Sequence, residues 1–130
     1  MIERLQPADT FAISGISAAT RSGNLLFISG QVPLDRGGQL VGIGDFQAQA
    51  EQVFANLDAV LAAGNSGFDQ LLKLTVYFTD IRRDLASFRE IRNRYIPAGH
   101  EPASSAVQIS ELFDPDVWLE VEAIALTRAE

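Results

Sequence analysis

The sequence predicts an α+β fold in which a six-stranded mixed sheet carries two helices on one face. Two segments place apolar residues three and four positions apart, which is typical of helices. Several short segments are continuously apolar or alternate between apolar and polar residues, which is typical of strands. The predicted order is hairpin, helix, strand, helix, strand, strand, with a short edge strand before the first helix. Right-handed crossovers put both helices on the same side of the sheet. Because the chain has only 130 residues, residues 1–130 are expected to form a single domain.

The sheet is expected to begin with a hairpin. Residues 25–29, Leu-Leu-Phe-Ile-Ser, form an apolar run between a Ser-Gly-Asn turn and Gly30, which is typical of a buried strand. Residues 11–21 are predicted to be its weaker antiparallel partner. The segment 33–44 contains four glycines and is predicted to be mostly loop, with a short edge strand at 39–43.

Two helices and three strands are predicted to follow. Asp45 is expected to cap the first helix, and Gly64 to end it in a left-handed conformation. Apolar and more polar residues alternate along 71–79, which predicts a strand. Asp84 is expected to open the second helix, and Pro97 to stop it. Two further strands are predicted at 105–110 and 117–126.

Composition excludes several classes of protein. The chain has no cysteine, which excludes a disulfide scaffold and a thiol nucleophile, and its one histidine, His100, cannot form a multi-histidine metal site alone. The net charge of −7 argues against a nucleic-acid surface. No segment is apolar enough to span a membrane, and we expect a cytoplasmic protein without a metal or cofactor.

The last predicted strand places two carboxylates among large apolar side chains. A period of two puts Glu120 and Glu122 on one face with Trp118 and Ile124. Burial and a like charge both raise the pKa of a carboxyl group, which suits a proton shuttle. The alternative interpretation is a pair of glutamates that simply face solvent or bind arginines.

Other polar residues offer weaker signals. Gly30, directly after a strand, would let a ligand approach the backbone, although a tight turn explains it equally well. Ser104 and Ser105 offer two hydroxyls, but no acid stands at the spacing a serine hydrolase needs. Five of the ten basic residues lie within thirteen positions. They are Arg82, Arg83, Arg89, Arg92 and Arg94. We interpret them as a solvated helix face, with the alternative that Arg92 lines an anion site.

The sequence resembles the RidA family, also called YjgF or endoribonuclease L-PSP. The matching stretches run in order along nearly the whole chain: SGNLLFISGQVP at 22–33, GDFQAQ at 44–49, residues 56–64, VYFTD at 76–80 and LEVEAIA at 119–125. The resemblance implies a chorismate-mutase-like fold and a homotrimer with a central barrel of sheets. It also implies three small-molecule clefts between subunits. This agrees with the expected sheet, whose second face is not covered by the two helices and would need partner subunits to cover it.

The resemblance also implies an activity, the hydrolysis of enamines and imines to a keto acid and ammonia. It assigns the water-handling glutamate to Glu120 and the backbone donors to Ser29 and Gly30. Ser104 stands where the family has a carboxylate-binding arginine, beside Ser105. Ile16 stands in place of a tyrosine, and Arg92 in place of an asparagine.

The exchange of arginine for Ser104 changes the expected function. Loss of the bidentate hydrogen bonds between an arginine guanidinium and the substrate carboxylate costs roughly 1.5–3 kcal/mol of binding free energy. Ordinary turnover of 2-aminoacrylate is therefore not expected. Arg92 is a candidate to restore the cation. The sequence therefore predicts a deaminase with another small anionic substrate. The alternative is a non-catalytic trimer that binds a ligand or protects proteins, and the acidic charge disfavours a ribonuclease.

Overall fold

The computed structural model describes residues 1–128, which form a six-stranded mixed sheet with two helices packed against one face. The strands are β1 (Glu3–Leu5), β2 (Ala19–Ser22), β3 (Leu25–Gln31), β4 (Leu71–Phe78), β5 (Ala103–Gln108) and β6 (Leu119–Leu126). The helices are α1 (Phe46–Ala63) and α2 (Ile81–Tyr95). The predicted fold class is confirmed.

The sheet has the strand order β1-β2-β3-β6-β4-β5. Only the β4–β5 pair is parallel, and α2 connects these two strands. The last strand, β6, inserts between β3 and β4 and pairs with both in antiparallel fashion. This arrangement puts the two glutamates of β6 in the middle of the sheet.

The number of strands is as predicted, but one strand is different. The sixth strand is β1 at the N-terminus, which sequence reasoning missed, and the segment 39–43 contributes only one isolated bridge between Leu34 and Leu40. The predicted strand at 11–21 begins only at Ala19, because the chain turns at Gly15, where φ is +86°. Strands β5 and β6 lie within two residues of their predicted starts and ends.

Helix α1 begins as predicted and ends by a different means. The Asp45 carboxylate accepts a hydrogen bond from the backbone N–H of Ala48. Gly64 has a φ of −90°, and the left-handed residue is Asn65, with a φ of +55°. Gly64 is needed for a packing reason instead, since a Cβ there would lie 2.5 Å from a methyl group of Leu26.

Helix α2 begins three residues earlier than predicted. Its cap is Asp80, whose side chain accepts a hydrogen bond from the backbone N–H of Arg83. Asp84 lies inside the first turn, is 3% exposed and accepts two hydrogen bonds from the Arg83 guanidinium. Asp84 therefore binds the guanidinium of its neighbour from within the helix, and Asp80 is the residue that caps it.

The two faces of β6 confirm the predicted alternation. Leu119, Val121, Ala123 and Ala125 are buried against the helices, whereas the residues between them are half-buried on the opposite face. We call this opposite face the outer face of the sheet. No helix in residues 1–128 is long and apolar enough to cross a membrane.

A bulge interrupts the pairing of β3 with β6. Ile28 pairs with Ala123 and Gln31 pairs with Val121, so three steps along β3 match two along β6. Ser29 and Gly30 lie inside this bulge, and Gln31 returns to the buried face. The predicted ligand-approach segment is therefore an irregular part of a strand.

Candidate active site

A cavity of about 590 Å³ lies at the bulge on the outer face. It brings together five of the residues that the sequence singled out, namely Ile16, Ser29, Gly30, Glu120 and Glu122. The other lining residues are Gln6, Phe11, Ile13, Ala18, Gln31, Val32 and Phe113. We call it the Glu120 cavity.

Glu120 lies directly over Gly30. A Cβ built on Gly30 would lie 2.2 Å from Oε2 of Glu120 and 2.6 Å from its Cδ, distances that real Cβ atoms do not show. Only glycine at position 30 lets the carboxylate occupy this place. Glycine is thus required at this position by the neighbouring side chain and not by a left-handed backbone.

The environment of Glu120 favours its protonated form. Burial is the main cause that raises the pKa of Glu120 above its ordinary value of 4.5, and the charge of Glu122 adds to it. Glu122 itself accepts a hydrogen bond of 2.7 Å from the Tyr77 hydroxyl. That bond raises the pKa of Tyr77. A carboxyl group whose pKa is raised by its surroundings is better suited to hold and release a proton than an ordinary surface carboxylate.

Ser29 fixes one wall of the cavity. Its hydroxyl donates a hydrogen bond of 2.6 Å to the carbonyl of Ser17, and its backbone N–H donates to the carbonyl of Ala18 at 2.9 Å. These bonds hold the segment that follows Ile16 against β3. Ser29 therefore positions the wall, and its hydroxyl proton is already engaged.

Arg92 and Ser104 lie together in a second, smaller hollow on the helix side of the sheet. This hollow has a volume of about 180 Å³ and is also lined by Leu74, Asn93, Ile96, Glu101 and Pro102. Ser104 pairs with the buried residue Leu74, which puts its side chain on the helix side. Within one chain, neither Arg92 nor Ser104 lines the Glu120 cavity. We call this place the Arg92 hollow.

Ser105 faces the opposite way from Ser104. It pairs with Thr75 and accepts a hydrogen bond of 3.1 Å from Nζ of Lys73. Lys73 and Thr75 line a third cavity of about 320 Å³ on the outer face, which shares Ser29 and Glu122 with the Glu120 cavity. Ser105 is thus near the outer cavities but lines neither of them.

The arginines of α2 divide into two groups. Arg83 binds Asp84 and stacks over the ring of Trp118, and Arg94 binds Glu51 at 2.9 Å. These two fit the interpretation of a paired, solvated face. Arg82, Arg89 and Arg92 have no acidic partner in the part of the chain that the structure describes. The guanidinium of Arg92 donates only to Oδ1 of Asn93, at 3.2 and 3.1 Å.

Sequence reasoning missed two residues of the Glu120 cavity that stand out in the structure. Ile13 and Phe113 lie in loops, where periodicity gives no information, and both are exposed. A large apolar side chain directly before the Asp-Pro turn at 114–115 was the available signal for Phe113. Within residues 1–128, no three side chains of His, Asp or Glu cluster as metal ligands would.

Comparison with known proteins identifies the family. The family model described as Endoribonuclease L-PSP matches residues 7–127, which is nearly the whole chain. The chain belongs to the RidA (YjgF, endoribonuclease L-PSP) family. Imine deaminase and endoribonuclease-like roles are known in this family.

Individual relatives support the same assignment. A RutC family protein of Pyrococcus horikoshii is 40% identical over 114 residues, covering 87% of each chain. Protein HMF1 of Saccharomyces cerevisiae is 37% identical over 117 residues, covering 90% of this chain and 88% of its own. Among solved structures, RidA from the Antarctic bacterium Psychrobacter sp. superposes with a TM-score of 0.84 at 31% identity, covering 95% of this chain and 97% of its own.

Proposed function

We propose that this RidA-family chain is a deaminase-type hydrolase that converts an enamine or imine of a small anionic metabolite into a carbonyl compound and ammonia. The observation that carries the proposal is the desolvated carboxyl group of Glu120, held over Gly30 in the largest of the three cavities described. The chemistry needs a proton shuttle beside an unsaturated carbon and a nitrogen. Family membership supplies the reaction class.

The proposed reaction assigns the proton transfers to Glu120. The ionised carboxylate takes a proton from water as the water oxygen attacks the carbon of the iminium ion; a C–O bond forms and the C=N π electrons move to nitrogen. The protonated carboxyl returns this proton to the nitrogen. The C–N bond then breaks as the new hydroxyl group gives its proton to Glu120, which leaves a C=O group and ammonia, and ammonia carries that proton away as ammonium. An enamine enters the same sequence after protonation at carbon, which converts it to the iminium ion. A carboxyl group with a raised pKa is suited to these transfers.

We further propose that the site is completed by a second copy of the chain in a homotrimer. The lining of the Glu120 cavity contains no cation, and Arg92, which the sequence singled out and which forms no ion pair within residues 1–128, lies on the helix side. A neighbouring subunit could bring its Arg92 and Ser104 to the cavity of the first. The exposed apolar side chains of Phe27 and Leu72 support burial of this region.

We expect no nucleic-acid or membrane partner and a cytoplasmic location for this trimer. The net charge of −7 supports the absence of a phosphate-binding surface. One feature favours a second candidate function, a ligand-binding or protein-protecting trimer without catalysis. Ser104 replaces the arginine that, by resemblance, holds the substrate carboxylate, so the cleft could bind without turnover.

Ammonia release from a panel of enamines and imines separates the two functions. Glu120→Gln is expected to lower kcat/KM by about a hundredfold or more, because it removes the proton carrier and keeps the shape. Glu90→Gln, an exposed carboxylate on α2, is the matched control and should leave the rate unchanged. Saturable binding without ammonia release from any member of the panel would refute the enzyme and support the binder.

Ser104→Arg tests the altered specificity. If the remaining machinery is intact, this change should create or raise hydrolysis of 2-aminoacrylate, because a guanidinium binds a carboxylate in a bidentate pair. The double variant Ser104→Arg with Glu120→Gln should lose the gain. A Ser104→Arg protein with unchanged 2-aminoacrylate hydrolysis would contradict the idea that position 104 sets the substrate.

A further inference from the structure

The Glu120 cavity has a larger apolar wall than a small imine requires. Ile13, Ile16 and Phe113 are 45%, 55% and 65% exposed and surround its opening, while Phe11 and Val32 are buried at its base. Its volume of about 590 Å³ is typical of pockets that enclose ligands of moderate size. A ligand with only a methyl-sized side chain would leave most of this apolar surface in water.

The polar part of the cavity defines how a ligand is oriented. Its twelve lining residues include Glu120 and Glu122 and contain no lysine, arginine or histidine. A ligand carboxylate therefore gains nothing from this wall, whereas a nitrogen that carries protons is attracted to the glutamates. The reacting nitrogen belongs near Glu120, and the carbon side chain belongs against Ile16 and Phe113.

Local hydrogen bonds hold the apolar wall in place. The N–H of Ile16 donates to the carbonyl of Ile13 at 3.2 Å, and Nε2 of Gln6 donates to the carbonyl of Phe11 at 3.1 Å. Beside Phe113, the carboxylate and the carbonyl of Asp114 accept bonds of 2.8 and 3.0 Å that close a turn. A wall already held in this way loses little conformational freedom when a ligand binds, so it can select by shape.

We infer that the Glu120 cavity selects imines or enamines with a bulky apolar side chain, branched or aromatic, over those with a methyl-sized one. Ile16 and Phe113 are the specificity-determining residues. The inference rests on the proposed function for its chemistry. Its prediction about binding does not require turnover.

Calorimetric titration of the full-length protein with three 2-keto acids tests this selection without catalysis. The keto acids are the hydrolysis products pyruvate, 4-methyl-2-oxopentanoate and phenylpyruvate. Phenylpyruvate and 4-methyl-2-oxopentanoate should each bind at least about tenfold more tightly than pyruvate, because each buries apolar surface against the wall. Equal or tighter binding of pyruvate would overturn the inference.

Two variants and one control connect the selection to the wall. Ile16→Ala and Phe113→Ala should each reduce the ratio of phenylpyruvate to pyruvate affinity by at least about threefold. Ile43→Ala removes an equally exposed isoleucine, at 64%, that lines none of the cavities described, and should leave the ratio unchanged. Light scattering on the same samples reports the mass of the assembly. If the two variants change the mass but keep the ratio, these side chains cover another subunit and the inference is wrong.

The corresponding imines, generated in the assay by an amino-acid oxidase, separate this inference from the proposed function. Faster decay of the bulky imines with enzyme present supports both. Selective binding of the bulky keto acids with no imine hydrolysed would refute the enzyme and leave the selectivity standing. Hydrolysis confined to the smallest imine would support the enzyme and overturn the selectivity.

Discussion

The Glu120 cavity and the Arg92 hollow lie on opposite faces of one sheet and have opposite chemistry. The cavity holds two glutamates and a broad apolar wall, with no cation among its lining residues. The hollow holds the Arg92 guanidinium, which forms no ion pair in residues 1–128, together with the hydroxyl of Ser104 and the carboxylate of Glu101, which accepts a hydrogen bond from the backbone N–H of Gly99. Each place has what the other lacks for binding an anionic imine.

This difference shows why a single subunit is an incomplete unit for the proposed chemistry. The alternation of a strand puts Ser104 on the helix side and Ser105 on the outer face, so no local rearrangement of β5 brings Ser104 to Glu120 within one chain. A ligand that contacts both Glu120 and Arg92 must lie between two copies. Substitutions in the Glu120 cavity and in the Arg92 hollow should therefore have separate effects, and the larger effect is expected in the cavity.

Gly30→Ala should have the largest effect on the cavity side. The new Cβ would lie 2.2 Å from Oε2 of Glu120, so the flexible carboxylate moves away while the backbone stays. A displacement of this size is expected to lower the rate of hydrolysis by about a hundredfold with little change in the midpoint of unfolding.

Gly37→Ala is the matched control for that change. A Cβ on Gly37 meets only Oδ1 of Asp35 at an ordinary distance of 3.5 Å, and its rate should equal that of the wild type. If Gly30→Ala is fully active, the contact between position 30 and Glu120 has no role in catalysis.

Arg92→Ala should have the next largest effect, on the hollow side. Removal of a guanidinium that binds a carboxylate is expected to weaken anionic ligands by about ten- to a hundredfold. Arg82→Ala, an exposed arginine near the start of the same helix, should leave the dissociation constant unchanged. Calorimetric titration with phenylpyruvate measures both. Unchanged binding in Arg92→Ala would show that the cation comes from elsewhere.

The smallest predicted effect concerns stability and pH. The pKa of Glu120 is raised in the folded state, so the folded protein binds more protons than the unfolded chain between 4.5 and the raised value. Stability therefore falls as the pH rises through this window. Glu120→Gln should be more stable than the wild type at neutral pH, and this advantage should disappear below 4.5. Urea unfolding across this pH range measures the difference. A constant advantage would show that charge on Glu120 is not its cause.

Periodicity predicted the parts of the molecule where burial repeats regularly. The two faces of β6 and the start of α1 follow from residues spaced by two, or by three and four, with Asp45 ahead of the helix. The start of α2 did not follow, because Asp80 and Asp84 are both chemically able to cap. In the structure Asp80 accepts the capping bond from the N–H of Arg83, whereas the carboxylate of Asp84 binds the guanidinium of the adjacent Arg83.

The candidate site was predicted less completely than the fold. Glu120 and Gly30 were identified, but their contact depends on a bulge that local sequence does not reveal. Ile13 and Phe113 approach the cavity from loops far apart in the chain, so no short-range pattern connects them. The division of Ser104 and Arg92 from Glu120 follows from the faces they occupy, because Ser104 pairs with the buried Leu74 and Arg92 lies on α2, whereas Glu120 is on the outer face.

The bulge in β3 also limits how this family member can change its length. Side chains along a strand alternate between the two faces of the sheet. The extra residue between Ile28 and Gln31 shifts the inward-facing positions of β3 from even to odd residue numbers. Deleting one residue there would restore regular alternation and keep Gln31 buried, but it would remove either Ser29, which holds the cavity wall, or Gly30, over which Glu120 lies. In the loop at 33–44 no alternation between faces has to be kept, so residues can be inserted or deleted there. We therefore expect length differences among homologues to collect in that loop and to be absent from β3.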